Sequence, residues 1–294
     1  MKFMRFKWLY FLISALIIIP GIFSLYKWGF RPSIDFVGGA LLEYRAEKDY
    51  QLPEVENILK ESNFTFESVS KSGEKSFLIR SGTIDRNRAA EVQKALEEKL
   101  GTKLTEIRFE TVGPILGREL LVKTFIAIIL GSLTILAFVG WRFKDKKFGI
   151  CAILAVFHDT LILLGSFSLL GHFLNVEVDT LFVTAVLTLL SFSVHDTVVV
   201  YDRIRESQKL FPKASLEELA DKAVTETLSR SLNNSLTIIF MLVALLLLGG
   251  ETIRWFIVAL LIGTVAGTYS STFTAVPLLV VWEKLKLKKI KSAS

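Results

Sequence analysis

The stretch Ser191-Phe-Ser-Val-His-Asp-Thr-Val-Val-Val-Tyr-Asp-Arg-Ile-Arg-Glu206 sets a histidine and a carboxylate inside a segment that is otherwise apolar enough to cross a membrane. The same tripeptide, His-Asp-Thr, occurs at residues 158–160 and again at residues 195–197, each time within an apolar run. A carboxylate near the middle of a bilayer costs several kcal/mol, so such residues usually face a bundle interior, a partner charge or a water-filled path. This placement predicts that the tripeptides take part in ion or proton movement.

The rest of the chain is also apolar. Hydrophobic residues make up 51% of its 294 residues, which is unusual for a soluble domain of this size. A run of about 20 apolar residues is long enough to span the roughly 30 Å of hydrocarbon in a bilayer. Such runs lie at approximately 8–26, 120–140, 148–170, 180–201, 231–249 and 254–282. We therefore predict an α-helical membrane protein with six transmembrane helices, the first of which is a retained anchor.

The distribution of lysine and arginine predicts the orientation of these spans. Basic residues cluster at Lys2–Lys7, at Arg142–Lys147 and in the tail at Lys284–Lys291, whereas Gly171–Asp179 has none. Short connections rich in Lys and Arg stay in the cytoplasm. Both termini are therefore expected there, and the net charge of +6 is topological rather than a sign of nucleic-acid binding. The expected division is an anchor at 1–26, an extracytoplasmic domain at 27–119, and the remaining spans with a basic tail at 120–294.

The segment 27–119 has the pattern of a small α+β domain. Residues alternate between apolar and polar at 41–47, 64–70, 75–80 and 104–112, which predicts strands, and helical patterns cover 53–61 and 85–100. The order βαββαβ is typical of a ferredoxin-like domain. The chain has no phosphate-binding G-x-x-x-x-G-K-[ST] stretch, no nucleophile constellation and no metal-ligand spacing. We expect no enzyme activity, no metal and no cofactor.

The fourth and fifth spans carry the candidate site. Asp196 lies in the fourth span, and Arg230 begins an unusually polar entry to the fifth. If these helices are antiparallel neighbours, Arg230 approaches Asp196, and a buried carboxylate beside a cation forms a switchable proton site. Neighbouring polar residues are expected to support it: Thr197, Asp202, Arg203, Asn233 and Asn234. A static ion pair that only fixes helix packing is the alternative.

Two further segments attract attention. Ser215-Leu-Glu-Glu218 is a capping box, followed by apolar residues at helical spacing, and it predicts an amphipathic helix along the cytoplasmic membrane face. Ile34-Asp-Phe-Val-Gly-Gly39 follows the first span, and its two glycines allow positive φ while Asp35 can accept hydrogen bonds in the turn. We interpret Asp35, Gly38 and Gly39 as a hinge, with an ordinary strand-to-turn entry as the alternative.

Four motifs together resemble the SecF family. They are Ile34–Gly39, Val112-Gly113-Pro114, His195–Glu206 and Leu228–Thr237, in that order along nearly the whole chain. SecF is the smaller partner in the SecDF accessory complex of bacterial protein export, related in architecture to the resistance-nodulation-division transporters. The fourth-span motif departs from the family in one respect, because His195 stands where an Asn is expected.

The resemblance implies a multi-pass protein of the bacterial inner membrane that uses the proton gradient as its energy source. Its implied partners are SecD, the SecYEG channel with other Sec accessory proteins, and an unfolded preprotein. The implied proton relay is Asp196 and Arg230, joined by Asp159 and His158 of the third span. His195 is a further candidate from its residue type, since its ring either extends the relay or only hydrogen-bonds. Two other classes remain open: a small-molecule or lipid exporter of the resistance-nodulation-division type, and a scaffold of the export machinery that transports nothing.

Overall fold

A computed structural model of the chain describes residues 2–143 and 145–293, with backbone only for residue 251 and residues 287–293. Of the basic clusters, Lys144 and the side chains of Lys288, Lys289 and Lys291 therefore lie outside the described residues. The chain divides into two compact units. The sheet unit is Pro32–Ile126, and the helical unit is Met1–Arg31 together with Ala127–Ser294.

The sheet unit contains a four-stranded antiparallel sheet with two helices. Its elements are α2 (Ile34–Val37), β1 (Gly39–Ala46), α3 (Leu52–Glu61), β2 (Phe66–Lys71), β3 (Ser76–Ser81), α4 (Arg86–Leu100) and β4 (Leu104–Val112). The strand order is β2-β3-β1-β4, with every neighbouring pair antiparallel. This is the ferredoxin-like arrangement that the alternation pattern predicted. The single helical turn α2 was not predicted as a helix; the Ser33 hydroxyl caps it by accepting from the backbone N–H of Asp35.

Alternation explains which face of the sheet is buried. Leu42, Tyr44 and Ala46 occupy every second position of β1 and pack in one cluster with residues of α3 and α4. Asp85 caps α4 by accepting from the backbone N–H of Arg88, and Gly101 ends it with φ +61°. Burial raises the pKa of the Tyr44 hydroxyl, whose side chain lies in this cluster.

The helical unit contains the remaining long helices. They are α1 (Lys7–Lys27), α5 (Pro114–Arg142, which begins in the sheet unit), α6 (Lys146–Leu174), α7 (Thr180–Leu210), α8 (Leu216–Leu248), α9 (Arg254–Ser270) and α10 (Val276–Ala293). A π-helical turn at Ser271–Ala275 joins α9 to α10 within the sixth span. The described residues thus contain six helices long and apolar enough to cross a membrane, and the predicted fold class is confirmed.

One prediction about the cytoplasmic segment is wrong. The capping box at Ser215 is present, but the helix that it starts continues without a break into the fifth span as α8, 33 residues long. No glycine or proline interrupts 216–248, so nothing in this sequence favours the turn that a separate surface helix requires. The amphipathic segment is therefore the N-terminal part of α8.

Three helices form the centre of the helical unit. α6, α7 and α9 pack against one another, α1 packs on α6, and α8 packs on α7 and α9. The α1–α6 contact is a backbone contact, because a Cβ atom added to Gly165 would lie 2.6 Å from the Cα of Gly21. Small residues allow this approach in membrane helices, where close packing replaces the hydrophobic effect.

Candidate functional site

Asp159 is the centre of a buried hydrogen-bond cluster. Its side chain is fully buried in α6, and its Oδ2 accepts from the Ser193 hydroxyl of α7 and the Ser270 hydroxyl of α9, each at 2.6 Å. Its Oδ1 lies 2.9 Å from Nδ1 of the adjacent His158. Three helices therefore meet at one carboxylate, and in an apolar interior each of these partners offsets the cost of its burial.

His158 extends this cluster to the first span. Its Nε2 lies 2.9 Å from the Ser14 hydroxyl of α1, so a neutral ring that donates from Nδ1 to Asp159 accepts from Ser14 at Nε2. The ring of Tyr269 lies roughly parallel to the imidazole of His158, with 6.2 Å between the ring centroids. The Tyr269 hydroxyl donates to the backbone carbonyl of Tyr10 at 2.8 Å, which ties α9 to α1.

Asp196 is buried in α7 but has a different neighbourhood. It is 5% exposed, and its Oδ2 accepts from the Ser231 hydroxyl of α8 at 2.5 Å. Arg230, one residue earlier in α8, lies close enough for its positive charge to act on this carboxylate. The α7 and α8 helices are packed neighbours, as the proposed relay requires. The hydroxyl of Thr197, the next residue of α7, is fully buried and has no hydrogen-bond partner among the described residues.

Several predicted site residues lie on the outside of the helical unit instead. Arg230, Asn233 and Asn234 of α8 and His195 of α7 are exposed. Other polar residues of the same two spans share this exposure: Thr184, Thr188, Ser191 and Thr237. We call these eight residues the exposed polar face. The structure separates them from the buried cluster at Asp159.

Asp202 and Arg203 form ion pairs toward the C-terminal end of α7. Asp202 pairs with Arg142 of α5 and with Arg205, and Arg203 pairs with Glu206 at 2.6 Å and with Glu226 of α8 at 2.5 Å. These contacts join α5, α7 and α8. The pairs with Arg142 and Glu226 link α7 to neighbouring helices. Asp202 and Arg203 lie six and seven residues beyond the buried Asp196.

The glycine motifs of the sheet unit pack backbone against backbone. Gly38 has φ +79° and Gly39 has φ +127°, the left-handed region that favours glycine. A Cβ atom added to Gly38 would lie 2.9 Å from the Cα of Pro114, and one added to Gly39 would lie 2.8 Å from the backbone oxygen of Ser81. Gly113 directly precedes this contact, and Asp35 lies in the α2 turn before it. The hinge stays a prediction.

The sequence reasoning missed the hydroxyl groups that contact the two carboxylates and His158. These are Ser14, Ser193, Ser231 and Ser270, one from each of four spans. The signal was available, because a serine inside an apolar span needs a hydrogen-bond partner, and a carboxylate in a neighbouring span needs a donor. Which serine meets which carboxylate was not readable, since it depends on helix rotation and depth. Within the described part of the chain, no group of three His, Cys, Asp or Glu side chains is placed to hold a metal ion.

Comparison with known proteins assigns the family. The family model for protein export membrane protein SecD/SecF, C-terminal, matches residues 92–285. Protein translocase subunit SecF of Thermobaculum terrenum is 40% identical, over 97% of this chain and 95% of the relative. The chain belongs to the SecF family. Protein translocase subunit SecF of Anaerolinea thermophila is 38% identical, over 94% of this chain and 92% of the relative.

Larger SecDF proteins contain a region similar to the whole chain. Protein translocase subunit SecDF of Thermus thermophilus is 37% identical over 87% of this chain, but over only 35% of its own length. The crystal structure of SecDF from that genus, described as a translocon-associated membrane protein, matches with a TM-score of 0.86 and 33% identity. The match covers 97% of this chain and 39% of the SecDF chain. This chain therefore spans about two fifths of the length of SecDF.

These findings confirm the predicted SecF resemblance, a multi-pass membrane protein, and an accessory role in the Sec protein translocase. The Thermus protein carries the region similar to this chain and additional SecDF sequence in one polypeptide.

Proposed function

We propose that the chain is an auxiliary subunit of the Sec translocase that uses the proton gradient, together with SecD, to promote preprotein translocation and release. The observation that carries this proposal is Asp196, a carboxylate buried in a membrane span with one hydroxyl donor among the described residues and an arginine nearby. A carboxyl in such a place gains or loses a proton with a large change in its interactions. One proton crossing 100 mV supplies about 2.3 kcal/mol. This energy is enough to shift an equilibrium between two conformations by a factor of several tens.

SecD is the proposed partner, and the exposed polar face is where we place it. Polar side chains are costly against lipid and normally face protein or water inside a membrane. We therefore expect another multi-pass subunit, with polar groups of its own, to contact Arg230, Asn233 and His195. The three fifths of SecDF that this chain does not match are the natural source of such a surface.

The proposed orientation places both termini in the cytoplasm of a bacterial cell and the domain around residues 27–119 outside. The supporting observation is the positive charge at Lys2–Lys7 and Lys284–Lys291, against a 171–179 connection without Lys or Arg. The external domain then meets an emerging, unfolded preprotein beside the SecYEG channel. Asp196 and Arg230 exchange the proton, Asp159 with His158 forms a second buried acid, and no cofactor or enzymatic step is required.

The test is preprotein translocation in membrane vesicles with and without a proton gradient, comparing the parent with Asp196→Asn at matched protein level and confirmed assembly with SecD. Asn keeps the shape of the side chain and removes the titratable proton. We expect the gradient-stimulated part of translocation to fall at least tenfold. Asp49→Asn, the same substitution at a side chain of the sheet unit that is 92% exposed, is the matched control and is expected to retain stimulation. Full stimulation in Asp196→Asn would favour the scaffold alternative.

A further inference from the structure

The sixth span is interrupted by a π-helical turn, and a hydrogen bond to another helix lies on each side of it. The turn covers Ser271–Ala275, between α9 and α10. A π turn inserts one extra residue into an α-helix, is rare, and occurs frequently at functional sites.

The first of these bonds joins the turn to Asp159. Ser270 is the last residue before the π turn, and its hydroxyl donates to Oδ2 of Asp159 at 2.6 Å. The same hydroxyl has a second acceptor within reach, the backbone carbonyl of Gly267 at 3.3 Å. Ser270 can therefore leave the carboxylate without losing its hydrogen bond.

The second bond comes from Tyr201 of α7. Its hydroxyl donates to the backbone carbonyl of Ala275, the last residue of the π turn, at 2.8 Å. The Tyr201 side chain is 0% exposed, and the rings of Phe143 and Phe148 hold it edge-on with centroid separations of 5.6 Å and 5.2 Å. This phenol is fixed by packing, so the position of the Ala275 carbonyl is fixed with it.

The two bonds close a circuit through α7. Ser193, which also donates to Asp159, lies eight residues before Tyr201 on the same helix, or about 12 Å along its axis at 1.5 Å per residue. If the π turn relaxed to α-helical register, the helix beyond it would rotate by about 100°. Ser270 and Ala275 would not both keep their partners after such a rotation. The π turn is thus bonded to Asp159 at one end and to Tyr201 at the other.

We propose that Tyr201 is a positioning residue, which holds the π turn in the register that brings Ser270 to Asp159. When Asp159 takes up a proton at Oδ2, that oxygen becomes a donor, and one of its hydroxyl partners must accept from it and direct its own proton to another acceptor. Ser270 is that partner, because it has the Gly267 carbonyl as an alternative. This inference deepens the proposed function, on which its physiological role rests: the protonation of the α6 carboxyl is transmitted through the π turn to the inner half of the sixth span.

Few other titratable groups face this circuit. On α6 they are His158, bonded to Asp159, and Cys151, whose thiol lies near Tyr201. α9 contributes Tyr269, against His158. From α1 and α7, the groups that bond to Asp159 or His158 are the hydroxyls of Ser14 and Ser193, and Asp196 on α7 is bonded to α8 instead.

The test is infrared difference spectroscopy of the purified SecD-bound protein during a pH titration. A protonated carboxyl band that is lost in Asp159→Asn identifies Asp159. We expect Tyr201→Phe and Ser270→Ala to move the titration midpoint of that band in the same direction, and the double variant to move it no further than the larger single effect. Tyr26→Phe, the same change at a side chain that is 92% exposed, is the control and should leave the midpoint unchanged.

Two results would overturn the proposal: an unchanged midpoint in Tyr201→Phe beside a shifted one in Ser270→Ala, or effects that add in the double variant. If Tyr201→Phe does not fold, backbone hydrogen exchange in Ser270→Ala decides. Faster exchange confined to 271–275 supports the circuit, and unchanged exchange there contradicts it. The infrared measurement does not depend on translocation. The proposed function, tested by Asp196→Asn, and the role of Tyr201 can therefore be contradicted separately.

Discussion

The two His-Asp-Thr tripeptides are identical in sequence and opposite in environment. At 158–160 the histidine and the carboxylate are both buried and bonded to each other, and hydroxyls from three other segments surround them. At 195–197 the histidine is exposed, and the carboxylate has one hydroxyl donor from α8. The threonines differ too, because Thr160 donates to the Val156 carbonyl while Thr197 has no partner among the described residues.

The difference comes from where each helix sits in the bundle. α6 is covered by α1, α7 and α9, so adjacent residues of its tripeptide both meet protein. α7 contacts α6, α8 and α9 but leaves one side open, and His195 falls on that side, about 100° around the helix from Asp196. Both carboxylates are buried, but Asp159 has bonded partners on three helices, whereas Asp196 has one hydroxyl donor and therefore fewer contacts to lose when it exchanges a proton.

The largest expected effect is the difference in protein stability between variants that lack one or the other carboxylate. Asp159→Ala removes the acceptor of two interhelical hydroxyls and of His158, and we expect it to lower the free energy of unfolding by about 3 kcal/mol. Asp196→Ala removes the acceptor of one hydroxyl, and we expect about 1 kcal/mol. Unfolding of the purified variants by SDS titration in mixed micelles measures both values. Equal losses would show that the hydrogen-bond count does not distinguish the two sites.

A smaller effect is expected from the contact that brings Ser14 to His158. In Gly165→Ala the new Cβ would lie 2.6 Å from the Gly21 Cα, so α1 must move away from α6. Overpacking of this kind costs about 2 kcal/mol, and we expect the same loss in SDS titration. Gly149→Ala is the control on the same helix, because a Cβ there meets nothing within 4 Å. A Gly165→Ala protein as stable as the control would mean that α1 is not held by this crossing.

The smallest effect compares the two histidines. His158→Phe leaves Ser14 and Asp159 each without one partner, and we expect a loss of about 1 kcal/mol in the isolated chain. His195→Phe alters an exposed side chain, and surface changes of this kind are expected to stay within about 0.5 kcal/mol. The order should be checked by thermal unfolding in detergent without SecD. Greater destabilisation by His195→Phe than by His158→Phe would reverse the assignment of the buried and open sites.

Much of the architecture was readable from local patterns. Long apolar runs predicted six spans because a bilayer leaves few other ways to satisfy backbone hydrogen bonds. Alternation in β1 and β4, the Asp85 cap and Gly101 predicted the order of the sheet unit because each acts within a few residues. The continuity of α8 was missed, since a capping box marks where a helix begins and not where it ends. The π turn was missed because the sequence Ser271-Thr-Phe-Thr-Ala275 is polar but does not distinguish a π turn from a polar stretch of α-helix.

Three properties were readable from the amino-acid sequence: the chain crosses the membrane, its sheet unit is ferredoxin-like, and two carboxylates lie inside spans. These properties follow from hydrophobicity, periodicity and the cost of charge in lipid, which are set residue by residue. Three others required the folded protein: which serine donates to Asp159 and which to Asp196, that His158 is buried while His195 is exposed, and that the Tyr201 hydroxyl meets the Ala275 carbonyl. Hydrogen bonds between helices depend on rotation and depth to within an ångström, and many distant packing contacts set these together.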